Sequence, residues 1–196
     1  LFGLEFVLLA AAYWAARKWG NFAENFFQKI EDCGSRLAQR KVVAPLTLAA
    51  AVILFRLAIL PVHPIPHPVT VDEFSQLLLA DTFAHGRLAN PPHPLWHSFE
   101  TIHEIQQPMY SSMYFPGPAL LLWLGQILTG VPWFGVLVAT GALSGIVYWA
   151  LLVGFPSRWA FLGGSLVALH IGLISYWMDS YWGGTFAAIG SALCLG

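Results

Sequence analysis

Two neighbouring acids, Asp72 and Glu73, follow a proline-rich stretch in the segment PIPHPVTVDEFSQLLLADTFAHGRL, residues 64 to 88. A carboxylate in such a position is able to take a proton from an acceptor hydroxyl, and a positioned base typically contributes about 10² to 10⁴-fold to a rate. If Glu73 is occupied in capping a helix, Asp72 remains free beside it. The pair is therefore the first candidate for catalytic chemistry in this chain.

The same pair also has a purely structural interpretation. Thr70 followed three residues later by Glu73 fits a capping box, and acids in a first helical turn are favoured by the helix dipole. An apolar stripe follows, formed by Phe74, Leu77 and Leu78. Gly86 is then a plausible residue to end the helix. On this interpretation the acids merely begin an interfacial helix, and the sequence leaves both interpretations open.

Two arginines lie where a phosphate leaving group would need a cation. Arg56 is near the end of an apolar run, where it is a candidate phosphate contact, although arginines near helix ends more commonly extend to the headgroups. Arg87 is the only base between residues 61 and 117. It is either a second phosphate contact or an ion-pair partner of Asp81 or Glu104, and pairing is the favoured expectation.

The composition is that of a membrane protein. Hydrophobic residues make up 57% of the 196 residues and charged residues 10%, whereas soluble domains are typically about 25% charged. The net charge of −1 and the absence of a basic surface pattern argue against binding to nucleic acid. We therefore expect an integral membrane protein whose surface contacts lipid.

Charge is distributed unevenly along the chain. Residues 17 to 41 carry six bases against three acids, which predicts a cytoplasmic amphipathic segment. Residues 61 to 117 carry Asp72, Glu73, Asp81, Glu100 and Glu104 against Arg87, which predicts an extracytoplasmic loop. The first outward loop therefore contains the acidic pair.

Apolar runs supply the remaining elements. Residues 1 to 16 predict a truncated transmembrane helix, residues 42 to 60 a transmembrane helix, and residues 118 to 130 an interfacial or re-entrant helix, since its apolar core of eleven residues falls short of the roughly 20 needed to span. Residues 131 to 196 predict further transmembrane helices, with spans expected at 134 to 153 and 159 to 177. The fold class is all-α and polytopic, with short interfacial helices in the outward loop.

Because the chain begins at Leu1 without Met and stops within an apolar run, we expect a fragment.

The order of these elements resembles a known family. A basic cytoplasmic segment, a first spanning helix, an outward loop opening with DE, the element YFPGPA at 114 to 119, paired spanning helices and a further acid at Asp179 are similar to the C-superfamily of membrane glycosyltransferases. Within it, the similarity is greatest to the protein O-mannosyltransferase and lipid A aminoarabinose transferase group. It covers residues 42 to 196, the amino-terminal part of a longer architecture.

This resemblance implies an activity and site residues. Relatives transfer a sugar from a polyprenyl-phosphate-linked donor on the outer face of the membrane. The acid of their first outward loop corresponds to Asp72, with Glu73 completing the pair, and Asp179 corresponds to their later acid. Apart from the resemblance, Tyr114 and Arg56 are candidate substrate-binding residues, and Arg87 is a further candidate if it does not pair. The chain departs from the family in carrying Pro-Gly-Pro where many relatives have Pro-Pro-Leu, and in having no Arg beside Asp179.

Two alternatives accompany this hypothesis. Six of the seven histidines lie in residues 61 to 117, but their spacing matches no zinc signature. No cofactor is therefore predicted, and a divalent metal, which some relatives carry, is the less favoured option.

The rival function is a non-catalytic subunit that reuses the fold within a larger membrane complex.

Overall fold

The computed structural model describes Tyr13 and residues 24 to 196, so that the expected helix at 1 to 16 and the start of the segment 17 to 41 lie outside the described residues except for Tyr13. The described part is mainly helical, in agreement with an all-α fold. Its helices are α1 (Glu24–Ala38), α2 (Val43–Ala58), α3 (Val71–Ala84), α4 (Pro116–Thr129), α5 (Trp133–Leu151), α6 (Ser157–His170) and α7 (Gly184–Leu195). A short 3₁₀ turn (Trp96–Ser98) and two strands, β1 (Glu104–Ile105) and β2 (Ser111–Ser112), lie between α3 and α4.

Helix α5 is the centre of the packing, because α2, α4, α6 and α7 all contact it. Apolar side chains from α2 to α6 and from the segment after α6 form the main core around Trp133, Leu137 and Met178. A smaller cluster joins the start of α2 to the end of α5 and to α6 through Ala44, Leu48, Tyr148 and Ala160. The Tyr148 hydroxyl also donates a 2.8 Å hydrogen bond to the Ala38 carbonyl, which fixes the end of α1 to α5.

Glycines allow α5 to approach its neighbours backbone to backbone. A Cβ on Gly141 would lie 3.0 Å from the Ala49 carbonyl oxygen, and one on Gly145 would lie 2.7 Å from the Pro45 carbonyl oxygen, both in α2. On another face of the helix, a Cβ on Gly135 would collide with the Leu121 carbonyl of α4. Small residues of this kind permit the close helix contacts common in membrane bundles.

Within the described residues, α5 is the one helix that is long and apolar enough to cross a bilayer by itself, with 19 residues. Helices α1 and α2 would qualify only as a pair, and they are bent by 117° relative to each other. The span expected at 159 to 177 is interrupted, since α6 ends at His170. After that end, the Ser175 hydroxyl donates a 2.6 Å hydrogen bond to the Ile171 carbonyl. In a continuous helix this carbonyl would accept from the Ser175 backbone amide.

The segment expected as the first outward loop is an ordered unit. Helix α3 packs on α4, and β2 packs on α3. The strands pair in antiparallel register, with Glu104 opposite Ser112 and Ile105 opposite Ser111. The chain therefore brings α3 and the β1–β2 hairpin together in front of α4.

Candidate functional site

Glu73 lies in the first turn of α3 and is only 2% exposed. Its Oε2 accepts hydrogen bonds from the backbone amides of Val69 at 2.7 Å and Thr70 at 2.9 Å, which completes the capping box expected from the sequence. Its Oε1 accepts a 3.0 Å hydrogen bond from the backbone amide of Tyr181. Glu73 therefore holds the start of α3 and joins it to the segment between α6 and α7.

These contacts change the acidity of Glu73. Burial raises the pKa of its carboxyl, but the amides of Val69, Thr70 and Tyr181 stabilise the charged form and outweigh burial, so that the pKa falls below its ordinary value of 4.5. Glu73 is consequently ionised at neutral pH. A carboxylate with every oxygen occupied in this way serves as a support and not as a free base.

Asp72, next to it, points toward the β1–β2 hairpin. The Tyr114 hydroxyl donates a short hydrogen bond to Asp72 Oδ1, and His103 Nε2 lies 3.6 Å from the same oxygen. The Asp72 side chain is 35% exposed and that of His103 is 20% exposed. Within the described residues no hydrogen bond or ion pair reaches Asp72 Oδ2. Asp72 thus combines one fixed oxygen with one free oxygen at a partly open position.

Two serines set the hairpin that carries these partners. The buried Ser75 hydroxyl of α3 lies 2.7 Å from the Ser112 hydroxyl of β2 and donates a 2.7 Å hydrogen bond to the His103 carbonyl. Ser112 Oγ also accepts a 3.1 Å hydrogen bond from the Tyr114 amide. The backbones of His103 and Tyr114 are therefore both fixed relative to the helix that carries Asp72.

The contact with Asp72 also fixes the state of the Tyr114 phenol. The hydrogen bond to Asp72, then burial, then the charge of Asp72 raise the pKa of Tyr114 above 10.0. The phenol stays protonated at neutral pH, which keeps Tyr114 as a hydrogen-bond donor to the carboxylate.

Arg56 and Asp179 form a second group with a histidine. Arg56 is 0% exposed, and its guanidinium lies 3.1 Å from Asp179 Oδ1 while Asp179 is 21% exposed. Nη1 and Nη2 of Arg56 donate to the carbonyls of His63 at 2.7 Å and Pro64 at 3.1 Å. The guanidinium also lies 4.8 Å from the centre of the Trp133 ring. His63 Nε2 lies 2.8 Å from the other Asp179 oxygen.

The burial of Arg56 affects whether it can contact a phosphate, which is the role expected from the sequence. Because its terminal nitrogens already donate to protein oxygens, a phosphate would have to displace one of these partners to reach it. In this arrangement Arg56 supports Asp179 and the chain after α2. Among the residues that the structure describes, Arg87 forms no ion pair: it is exposed, Asp81 contacts His85 and Gln126, and Glu104 accepts from Gln106.

The structure thus sorts the six expected site residues into separate places. Asp72 and Tyr114 come together, Arg56 and Asp179 come together, and Glu73 connects the two groups through Tyr181, two residues after Asp179. Arg87 lies beyond the opposite end of α3.

Two histidines that the sequence did not single out belong to these groups. His103 contacts Asp72 and His63 contacts Asp179. Their spacing alone would not have identified them, because each contact depends on how a proline-rich or irregular segment folds back on a helix. The only available signal was the concentration of histidines in the acidic segment.

Metal binding finds no ready cluster in this arrangement. In the part of the chain that the structure describes, no group of three or more His, Cys, Asp or Glu side chains is placed to hold a metal ion.

Comparison with known proteins adds no assignment. No protein-family model, curated protein or solved structure matches this chain.

Proposed function

We propose that this chain takes part in transferring a sugar from a polyprenyl-phosphate-linked donor to an acceptor hydroxyl, with Asp72 as the base. The observation that carries the proposal is the state of Asp72: Tyr114 holds Oδ1, no hydrogen bond or ion pair within the described residues reaches Oδ2, and the side chain is 35% exposed. A base needs such an oxygen within reach of the proton that it removes. The nature of the donor is taken from the family resemblance.

The proposed transfer needs only the donor, the acceptor and Asp72. Asp72 Oδ2 accepts the proton of the acceptor hydroxyl as the acceptor oxygen forms a bond to the anomeric carbon of the sugar. The bond from that carbon to the phosphate oxygen breaks, and the polyprenyl phosphate leaves with the electron pair. Tyr114 keeps the carboxylate oriented during the step, and Glu73 holds the helix turn from which Asp72 projects.

A membrane setting for this chemistry is part of the proposal. Helix α5 is long and apolar enough for one crossing, and large apolar side chains on α2, α6 and α7 are exposed, including Leu54, Phe55, Leu166, Leu169 and Leu193. Exposed apolar side chains of this kind are suited to contact with lipid or with further helices. We infer a polytopic arrangement with residues 17 to 41 on the cytoplasmic side and residues 61 to 117, with the Asp72 site, on the outer side.

Substitution of Asp72 tests this function. The protein containing this chain, reconstituted in lipid, should lose transfer of labelled sugar from a polyprenyl-phosphate donor when Asp72 is replaced by Asn, by about 10²-fold or more. Asp81→Asn is the matched control, because Asp81 is an exposed acid on the same helix that contacts His85 and Gln126. Unchanged turnover in Asp72→Asn, with Asp81→Asn also active, would refute the assignment.

A second function is favoured by the position of the cations. Arg56 is enclosed, and α3 extends about 18 Å from Asp72 to its last residue, Ala84, at about 1.5 Å per residue, with Arg87 beyond that end. The described residues therefore place no free arginine beside Asp72, which suits a non-catalytic subunit of a membrane complex. Absence of sugar transfer by the parent protein, together with stable membrane partners that copurify with it, would decide for the subunit.

A further inference from the structure

A recess of about 550 Å³ lies in the segment between α3 and α4. Its lining includes Ser98, Phe99, Glu100, Thr101, Glu104 and Tyr110. Pockets that bind small ligands typically measure about 300 to 1,000 Å³ and combine an apolar surface with a few polar groups. The recess has the size and the mixed lining of such a pocket.

Hydrogen bonds hold the walls of this recess in place. Gln106 is buried, and its side-chain amide donates to the Phe99 carbonyl at 3.1 Å and to Glu104 Oε2 at 3.2 Å. Tyr110 exchanges two backbone hydrogen bonds with Asn90, at 2.8 and 2.9 Å. The ring of Phe99 meets the His93 ring edge to face at 5.0 Å between centroids. The recess is consequently defined by contacts between its own walls.

The recess is distinct from the Asp72 site. Its residue Glu104 directly follows His103, which contacts Asp72. The residues that line the recess do not include Asp72 or its contacts His103 and Tyr114. The recess and the Asp72 site are therefore adjacent but have different lining residues.

The lining selects for one kind of ligand chemistry. Glu100 supplies carboxylate acceptors, and the Glu104 carboxylate, which already accepts from Gln106 and Tyr110, has remaining acceptor capacity. The hydroxyls of Ser98 and Thr101 both donate and accept, the Phe99 ring supplies a flat apolar surface, and His93 and Gln106 complete the lining. The lining contains two carboxylates and no Lys or Arg, so a phosphate or another anion would meet repulsion. Hydroxyl groups on an otherwise apolar ring match this combination of acceptors, donors and aromatic surface.

We propose that this recess binds a neutral, hydroxyl-rich ligand of the carbohydrate class, at a site separate from Asp72. Binding there does not depend on sugar transfer by Asp72. Carboxylates accept from the ligand hydroxyls, and the Phe99 ring packs on the face of a sugar.

Ligand-observed saturation-transfer NMR tests this binding directly. The full protein is placed in lipid nanodiscs without glycoside detergents, which would compete, and is titrated with maltose, methyl α-mannoside, methyl β-galactoside and glucose. Glucose 6-phosphate serves as the anionic counterpart of glucose. We expect saturable binding of at least one of the neutral sugars and weaker binding of glucose 6-phosphate than of glucose.

Two variants locate the site. Glu104→Gln should raise the Kd of the bound sugar by about fivefold or more through loss of charge-assisted hydrogen bonds. Glu100→Gln, at an exposed position, should raise it by about threefold or more. Asp72→Asn and Asp81→Asn lie outside the recess and should leave the Kd unchanged, even where Asp72→Asn abolishes transfer. Absence of saturable binding by every neutral sugar, an unchanged Kd in Glu100→Gln, or tighter binding of glucose 6-phosphate would overturn the proposal.

Discussion

The carboxylate of Glu73 accepts a hydrogen bond from the backbone amide of Tyr181, across 108 positions of sequence. This contact connects the first turn of α3 to the segment that carries Asp179. The Tyr181 hydroxyl donates a further 2.9 Å hydrogen bond to the Pro66 carbonyl, so the same residue also holds the chain that leads into α3. Tyr181 and Glu73 therefore fix the relative positions of the two groups of candidate site residues.

Replacing Glu73 by Ala should destabilise the protein by about 2 to 4 kcal/mol, because several buried amides lose a charged acceptor. Thermal unfolding in lipid or a neutral detergent, followed by tryptophan fluorescence, measures the effect. Glu100→Ala is the control, since Glu100 is an exposed acid in the same acidic segment. Equal midpoints for the two variants would contradict the supporting role of Glu73.

Acid should weaken the same contact. The pKa of Glu73 is lowered by folding, so its stabilising contribution is complete above the ordinary value of 4.5 and is lost as pH falls through the folded pKa. We expect the unfolding temperature of the parent protein to fall below about pH 4.5 more steeply than that of Glu73→Gln. Parallel curves for the two proteins between about pH 6 and about pH 3 would show that another group controls acid stability.

Removing the charge of Arg56 should be costly because Asp179 then loses its buried partner. Breaking a buried ion pair by removal of one member typically costs about 3 to 5 kcal/mol, and the partial exposure of Asp179 reduces this to about 2 to 3 kcal/mol in Arg56→Met. Arg158→Met is the matched control, since Arg158 is exposed and lies near the Trp159 ring. Equal effects of the two changes on the unfolding midpoint would indicate that the contacts of Arg56 are dispensable.

Tyr114→Phe should lower sugar transfer by about tenfold while preserving the fold, because it removes the donor that holds Asp72 Oδ1. The raised pKa of Tyr114 keeps the donor protonated through neutral pH, so the loss should be constant between about pH 6 and about pH 8. Tyr176→Phe changes an exposed tyrosine whose ring lies near Trp182, and transfer should persist. Full activity of Tyr114→Phe would separate Tyr114 from the site.

Gly135→Ala should separate α4 from α5, because the added methyl group would meet the Leu121 carbonyl, which belongs to rigid helix backbone. Forcing a group into a packed interior typically costs about 1 to 3 kcal/mol. Gly154→Ala is the control, as nothing lies within 4 Å of its added Cβ. A midpoint in Gly135→Ala as high as in Gly154→Ala would contradict the close approach of the two helices.

The two ends of α3 were predictable because they depend on residues near each other in sequence, whereas the expected stripe of Phe74, Leu77 and Leu78 is not its buried face, since Phe74 is exposed and Ser75, Gln76 and Leu79 are buried. Thr70 and Glu73 form the capping box, and Gly86 adopts a φ of 69° just after the helix, as its lack of a side chain permits. The apolar run that became α5 was predictable for the same reason, since its length and composition are local properties. The early end of α6 was not, because apolar residues continue beyond His170 and the interruption depends on backbone contacts of Gly172 and Ser175.

The long-range contacts of the candidate site could not be read from spacing. Asp72 was identified from its type and its neighbour, whereas its partner His103 is brought to it by the hairpin and by Ser75. Arg56 was expected to be available to phosphate, but its enclosure follows from the return of the His63–Pro64 backbone and of Asp179. Each of these contacts joins segments whose mutual orientation only the folded chain determines.

The glycine contacts between α2 and α5 determine which substitutions these two helices can accept. Positions 141 and 145 are one helical turn apart and face the carbonyls of Ala49 and Pro45, so neither can gain a side chain while the two helices keep their separation. Side chains on the exposed faces of these helices are under no such restriction and are free to diverge. Replacement of either glycine would therefore force α2 and α5 apart, whereas replacement of an exposed side chain on the same helices would leave their spacing unchanged.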